Sequence, residues 1–140
     1  MKNNGQNGFT LIELLLVVVI IGVIVTIAVP SLQRGIRAAD NGSAFASLRT
    51  ISSAQVGYYS QNGRFARLDE LNASSGNTLG TSTPPNLVRG KFTFQMNPIM
   101  PTDVELRQAY TIVGTKNIGP SDLPYVISVD QSGVIVQIIP

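Results

Sequence analysis

One stretch near the N-terminus constrains this chain more than any other part of it. From Leu11 to Val29 a run of aliphatic residues is interrupted only by Glu13, Gly22 and Thr26. Its 19 residues lie within the range of about 17–25 that a membrane-spanning helix needs. Lipid offers the backbone no hydrogen-bond partners, so such a run is forced to be helical. The sequence therefore predicts a membrane-spanning helix with a carboxylate near its start.

That carboxylate needs an explanation, because Glu13 at a bilayer centre would cost roughly 2.5–3.5 kcal/mol on insertion scales. Thr10 and Glu13 have the T-x-x-E spacing of a capping box, in which both side chains satisfy backbone donors at a helix start. The helix dipole also favours an acid in the first turn. These effects amount to about 1 kcal/mol each, so capping alone offsets only part of the cost.

Two general interpretations of the segment come first. A secretory signal peptide would use Lys2 as its basic region and be cleaved near Ala28. However, the apolar run exceeds the about 7–15 residues typical of that class, and Glu13 and Pro30 are foreign to it. The second interpretation is a plain membrane anchor. Basic residues flank the run on both sides, so the positive-inside rule gives no orientation.

A third interpretation takes Gly8–Phe9 as a processing site, because a cut there gives Phe9 a free, positively charged amine. The stretch GFTLIELLLVVVIIGVIVTIAVP, ending at Pro30, resembles the N-terminus of the type IV pilin family, which includes the pseudopilins of type II secretion. An eight-residue leader with one lysine precedes it, and the residues that match one by one are Gly8, Phe9, Thr10 and Glu13.

The resemblance implies a role for each of these residues. A prepilin peptidase would cleave after Gly8 on the cytoplasmic side and methylate the new amine of Phe9. Glu13 would then meet the N-terminal amine of an adjoining subunit as helices bundle in a filament core, forming a charge-assisted pair. A subunit in the wrong axial register would leave both charges unpaired, so this pair would specify stagger more than stability. Capping alone remains the alternative for Glu13.

Gly22 and Pro30 bracket a segment whose helix is weakened, since glycine costs about 1 kcal/mol against alanine and proline removes a hydrogen bond. The resemblance implies that this segment loses helicity on assembly. An ordinary kink explains the same residues equally well.

We predict four regions: a removed leader (1–8), a transmembrane or filament-core helix (9–30), an amphipathic helix half (31–61), and an αβ-loop with an antiparallel β-sheet head (62–140). Asn41-Gly42 is expected to bend or break the helix, and Gln61-Asn62-Gly63 to end it. The apolar stripe expected to pack on a sheet consists of Leu32, Ile36, Ala39, Phe45, Leu48, Ile51 and Tyr58.

The C-terminal half is predicted to form strands, because apolar and polar residues alternate over 92–96, 109–113 and 125–139. The last of these stretches is a hairpin whose turn is 130–133. The serine-rich stretch 73–85 is predicted to be a loop. The fold class is therefore α+β, with a long N-terminal helix packed on a small antiparallel sheet, as in pilins.

Composition narrows the function. The chain has no cysteine and no histidine, which removes disulfides, thiol nucleophiles, imidazole bases and metal sites built on these residues. Its eight acids show no catalytic spacing, so we expect no enzyme activity, no cofactor and no metal. Asp122 and Asp130 resemble the acids of the calcium loop in major pseudopilins. Two acids eight residues apart are weak evidence for a metal, and aspartates that form turns explain them better. The net charge of +2 disfavours nucleic acid, and a weak DNA contact through Arg64 and Arg67 is left only as a less favoured alternative.

Only 13% of residues are charged, about half the globular average of roughly 25%, which suggests surface buried against lipid or other subunits. We therefore expect a type IV pilus subunit for adhesion, motility or DNA uptake, held in the bacterial inner membrane before assembly and extracellular afterwards. Its expected partners are copies of itself in a helical filament, a prepilin peptidase and an inner-membrane assembly platform. The alternatives are a pseudopilin of a type II secretion system and a membrane-anchored ligand-binding protein.

Overall fold

The structure is a computed structural model that describes residues 8–117, 119 and 123–139. It confirms an α+β fold in which a long N-terminal helix packs on an antiparallel sheet. The chain divides into two compact units, a first unit of Met1–Ala39 and a second unit of Asp40–Pro140. The helices and strands are α1 (Leu11–Asn62), α2 (Leu68–Ser74), β1 (Thr81–Thr83), β2 (Asn86–Arg89), β3 (Phe92–Met96), α3 (Asp103–Leu106), β4 (Thr111–Lys116), β5 (Val126–Asp130) and β6 (Ile135–Ile139).

Helix α1 continues through Gly22, through Pro30 and through the Asn41-Gly42 pair. Of the predicted bend or break at this pair, the break is therefore wrong, and the bend stays a prediction. Ala44 and Leu48 are buried directly after the pair, and the packing of that face outweighs a weak local propensity. The helix ends where expected, because Asn62 is its last residue and Gly63 takes a left-handed φ of 66°.

In the first unit, the large aliphatic side chains from Leu11 to Val29 are all exposed. The mean hydropathy of α1 reaches 3.1 over an 18-residue window, none of which is buried. Among the described residues, α1 is the one helix whose length and composition suffice to cross a membrane. Exposure of so many aliphatic groups means that lipid or protein must cover this segment.

The core of the second unit lies between the last turns of α1, α2 and one face of the sheet. The predicted apolar stripe is correct for Leu48 and Ile51, which are fully buried, and for two half-buried residues that pack on them, Phe45 and Tyr58. It is wrong for three residues that are exposed, Leu32, Ile36 and Ala39. Hydrophobic periodicity also missed the polar side chains that α1 buries, Ser47 and Gln55.

The six strands pair with their sequence neighbours, all antiparallel, in the order β1 to β6. At the centre of the sheet Phe94 pairs with Gly114, which pairs with Ile127. A Cβ at Gly114 would lie 2.8 Å from the Phe94 ring, so only glycine fits between these two side chains.

Several strand predictions are confirmed and others need correction. The strands over 92–96 and the hairpin over 125–139 form as predicted, whereas the run at 109–113 gives a strand that begins at Thr111 and extends to Lys116. The stretch 73–85 is not all loop, because α2 ends at Ser74 and β1 occupies Thr81–Thr83. The residues of β1 do not alternate between apolar and polar, so the sequence gives no signal for this strand. Its conformation is set by hydrogen bonds to the neighbouring strand β2.

Candidate functional site

The start of α1 is built around the side chains of Thr10 and Glu13. The Glu13 carboxylate oxygen Oε2 accepts hydrogen bonds from the Thr10 backbone N–H at 2.9 Å and from its hydroxyl at 2.8 Å. In return, the Glu13 N–H donates to Thr10 Oγ1 at 3.3 Å. The predicted capping box is therefore formed, and it places the carboxylate in the first helical turn, where the dipole favours negative charge.

The capping box uses only one of the two carboxylate oxygens. Within the described part of the chain, no group donates a hydrogen bond to Oε1 of Glu13. Capping and an additional cationic partner are therefore compatible at Glu13, because they occupy different oxygens. A shallow apolar depression surrounds this carboxylate and is lined by Phe9, Ile12, Glu13, Leu16 and Val17.

Gly8 and Phe9 lie immediately before the helix, in non-helical backbone. Gly8 is exposed, no atom would obstruct a Cβ at that position, and the Phe9 side chain is 83% exposed. Both residues that flank the predicted cleavage site are therefore exposed. After cleavage, the new amine would be four residues from Glu13, about 6 Å along a helix axis.

Gly22 and Pro30 are both helical and exposed within α1. Between them, the Thr26 hydroxyl donates to the Val23 carbonyl at 2.7 Å. A side-chain donor of this kind competes with the backbone ladder and often bends a helix. The segment thus contains a third residue, Thr26, that weakens regular helix hydrogen bonding.

The guanidinium groups of Arg64 and Arg67 both bind carboxylates of the second unit. Arg64 forms an ion pair of 2.9 Å with Glu70, and Arg67 pairs with Glu70 at 3.3 Å and Asp103 at 2.8 Å. The hydrogen bond from Arg64 lowers the pKa of Glu70, with smaller contributions from the Arg67 N–H and both nearby cations. The two arginines therefore hold the loop after α1 against α2 and α3.

Of the two acids in the calcium hypothesis, only Asp130 lies within the described residues. Asp122 lies outside the described residues. Asp130 accepts hydrogen bonds from the Ser132 hydroxyl and N–H, which lower its pKa and close the hairpin turn. In the described ranges, no group of three or more acids, histidines or cysteines could hold a metal ion.

Sequence reasoning missed one ionic cluster in the second unit. Oδ2 of Asp40 lies 2.9 Å from Nζ of Lys91 and 3.6 Å from Nζ of Lys116. The Lys116 side chain is only 2% exposed. No local pattern links three residues so far apart in the chain, so no sequence signal could have found them.

Comparisons with known proteins agree with this geometry. Residues 3–29 match the family described as the prokaryotic N-terminal methylation motif. The type IV major pilin protein PilE1 of Neisseria gonorrhoeae is 33% identical over 90 residues, 64% of this chain and 50% of that protein. The type II secretion system core protein G of Aeromonas hydrophila is 30% identical over 70 residues, 50% of this chain and 49% of that protein. A fimbrial protein of Moraxella nonliquefaciens is 43% identical over 61 residues, 44% of this chain and 39% of that protein.

The chain spans about half the length of the first of these relatives, and no solved structure gives a significant match. A membrane-length helix with a capped N-terminal acid, followed by an antiparallel sheet, is the architecture of a pilin-type chain. Together with the methylation motif and the pilin and pseudopilin matches, it makes the chain similar to members of the type IV pilin family.

Proposed function

We propose that this chain is a structural, non-enzymatic subunit of a type IV pilus that serves adhesion, motility or DNA uptake. Before assembly it is a single-pass protein of the bacterial inner membrane, and afterwards it is part of an extracellular fibre. Residues 1–8 are the leader, 9–30 the membrane or filament-core helix, 31–61 the amphipathic half, and 62–140 the αβ-loop and sheet. The observation that carries this proposal is the capped glutamate at the head of the methylation-motif helix, whose second oxygen accepts no hydrogen bond from a described residue.

A prepilin peptidase is the partner proposed for processing. It cleaves between Gly8 and Phe9 and methylates the Phe9 amine. The exposure of both residues and their non-helical backbone support this step. An inner-membrane assembly platform then receives the mature subunit.

Glu13 acts in assembly by receiving the Phe9 amine of a second subunit. Thr10 keeps Oε2 engaged and leaves Oε1 available for the incoming cation. In an apolar filament core, a carboxylate without that cation would bear an uncompensated desolvation cost, which is larger than a cap can offset. The pair therefore selects subunits that enter in the correct axial register.

Fibres sheared from cells that express Glu13 variants test this assignment. Glu13→Leu removes the carboxylate and is expected to abolish fibres, and Glu13→Gln keeps a hydrogen-bond acceptor but lowers fibre yield strongly. Thr10→Ala is the matched control, because it removes the hydroxyl of the capping box and leaves the charge of Glu13 in place. Normal fibre yield from Glu13→Leu would contradict the pairing, and equal losses from Thr10→Ala and Glu13→Leu would show that capping alone matters.

Intact mass of the membrane-extracted chain tests the processing step. We expect the loss of residues 1–8 and the gain of one methyl group on Phe9. Gly8→Val should block both changes, whereas Gly5→Val in the same leader should not. An uncut chain in the wild type would favour the membrane-anchored ligand-binding alternative.

Gly22 and Pro30 are proposed as the limits of a segment that loses helicity in the fibre. The exposed helix between them, weakened by the Thr26 side-chain bond, supports this conformational change. A fibre reconstruction in which residues 22–30 remain a regular helix would contradict it.

A pseudopilin of a type II secretion system is the second candidate, favoured by the match to core protein G of Aeromonas hydrophila. Deletion of the gene separates the two. Loss of surface fibres that contain peptides of this chain supports the pilus, whereas retained fibres with a defect in protein export support the pseudopilin.

A further inference from the structure

The second unit contains a groove that the processing and helix-bundling functions do not use. It has a volume of about 370 Å³ and lies between the start of α2, the β1–β2 turn and the loop from β3 to α3. Its apolar walls include three prolines together with the exposed side chains of Ile99 and Met100, which are 53% and 73% exposed. We call it the Met100 groove, lined by Arg67, Asp69, Pro84, Pro85, Ile99, Met100 and Pro101. Proline rings have fixed φ angles, so these walls are formed before any partner arrives.

The lining of the Met100 groove contains one carboxylate, that of Asp69, that forms no ion pair with a described residue. The lining residue Arg67 is matched by Glu70 and Asp103, and the lining residue Thr102 binds the carboxylate of Glu105. The groove thus combines apolar walls with the carboxylate of Asp69, which has no ion pair among the described residues.

One segment of the chain has the complementary properties. Leu32 and Ile36 in α1 are 66% and 47% exposed, and their i,i+4 spacing puts them on one face of the helix. Arg34 and Arg37 give the segment 31–39 a charge of +2 with no acid, and neither forms an ion pair within the described chain. The segment follows the proposed membrane span, so lipid does not account for its exposed apolar groups.

We infer that the Met100 groove is the docking site for residues 31–39 of a second copy of this chain. Leu32 and Ile36 enter between the prolines and Met100, while Arg37, beside that apolar face, approaches Asp69. The carboxylate of Asp69 disfavours the main competing occupant, an anionic lipid surface, because like charges repel there. The inference rests on the proposed filament function, in which identical subunits supply the partner segment.

The absence of cysteine from the chain makes this contact directly testable. Chains with Leu32→Cys and Met100→Cys are co-expressed, sheared fibres are collected, and a short bismaleimide is added. We expect a covalent dimer that contains both variants. The control pairs Leu32→Cys with Gln131→Cys, an exposed residue in the β5–β6 turn far along the chain from the groove, and should give much less dimer. Fibres without the Leu32–Met100 dimer, or with equal dimer in the control, would overturn the inference and leave the proposed function intact. A wild-type chain that forms no fibres would overturn both.

Charge reversal provides the second arm. Asp69→Arg and Arg37→Asp are each expected to lower fibre yield about fivefold, as expected for the loss of an exposed ion pair and its replacement by repulsion. The double variant should recover most of that loss, because attraction is restored with the signs exchanged. Failure of the double variant to recover, with both single variants reduced, would show that the two residues act separately and would overturn this pairing.

Discussion

The side-chain amide of Gln55 and the backbone of Ala66 hydrogen-bond to each other in both directions. Gln55 Nε2 donates to the Ala66 carbonyl and Ala66 N–H donates to Gln55 Oε1, each at 2.8 Å. Both residues are fully buried, so water cannot replace either bond. This reciprocal pair joins α1 to the chain that returns from it.

Replacing Gln55 by leucine is therefore expected to destabilise the second unit, although an apolar side chain at a buried position is usually favourable. The variant leaves one buried N–H and one buried carbonyl of Ala66 unsatisfied, at about 1–3 kcal/mol each. Urea unfolding of the detergent-solubilised chain, followed by near-UV circular dichroism, measures the change. Gln61→Leu, an exposed site on the same helix, should shift the free energy of unfolding by less than about 0.5 kcal/mol. Equal effects at both positions would contradict the role of the Gln55–Ala66 pair.

The centre of the sheet is expected to reject even one added methyl group. Gly114→Ala places a Cβ 2.8 Å from the Phe94 ring and 3.3 Å from Ile127, and both neighbours are fully buried. Overpacking of this kind typically costs about 1–3 kcal/mol. Gly57→Ala is the control and should raise the free energy of unfolding in the same measurement. No described atom lies within 4 Å of a Cβ at Gly57, and alanine favours a helix over glycine by up to about 1 kcal/mol. A Gly114→Ala chain as stable as the wild type would show that the sheet can relax at this point.

Local sequence patterns predicted the structure correctly where the residues that decide it lie close together in the sequence. The Thr10–Glu13 capping box, the left-handed Gly63 and the β5–β6 hairpin depend on neighbours within a few positions, and all three form as predicted. Patterns failed where the deciding contact is distant. The buried Gln55 depends on Ala66, and Leu32, which was predicted to pack on the sheet, is exposed. Periodicity finds an apolar face but does not identify its partner.

Low pH is expected to destabilise the loop after α1, because it protonates the carboxylate of Glu70. Its pKa is lowered in the folded chain, chiefly by the hydrogen bond from Arg64. A carboxyl group whose folded pKa is depressed contributes stability above its unfolded pKa, and that contribution is lost as the pH falls through the folded value. We therefore expect the free energy of unfolding to fall below about pH 5, and to fall less steeply in Glu70→Gln.

Urea titrations at several pH values between about 6 and 3 check this slope. Gln131→Leu, an uncharged and exposed turn position, is the control and should keep the wild-type slope. A Glu70→Gln chain whose stability falls with acid as steeply as that of the wild type would exclude Glu70 as a source of the effect.

Removing the charge of Asp40 is expected to lower the free energy of unfolding more than removing the charge of Asp103, whose ion pair is equally short. Its carboxylate lies within 3.6 Å of the almost fully buried ammonium of Lys116 as well as 2.9 Å from Lys91. Asp40→Asn removes one carboxylate from beside a cation that water barely reaches, and breaking a buried pair costs about 3 kcal/mol. Asp103→Asn is the matched change, because Asp103 pairs with Arg67 at 2.8 Å but its side chain is 59% exposed. An exposed pair contributes about 1 kcal/mol or less, so the two variants should differ clearly in the free energy of unfolding. Equal losses of stability in the two variants would mean that the burial of Lys116 does not make its contact with Asp40 more stabilising than an exposed ion pair.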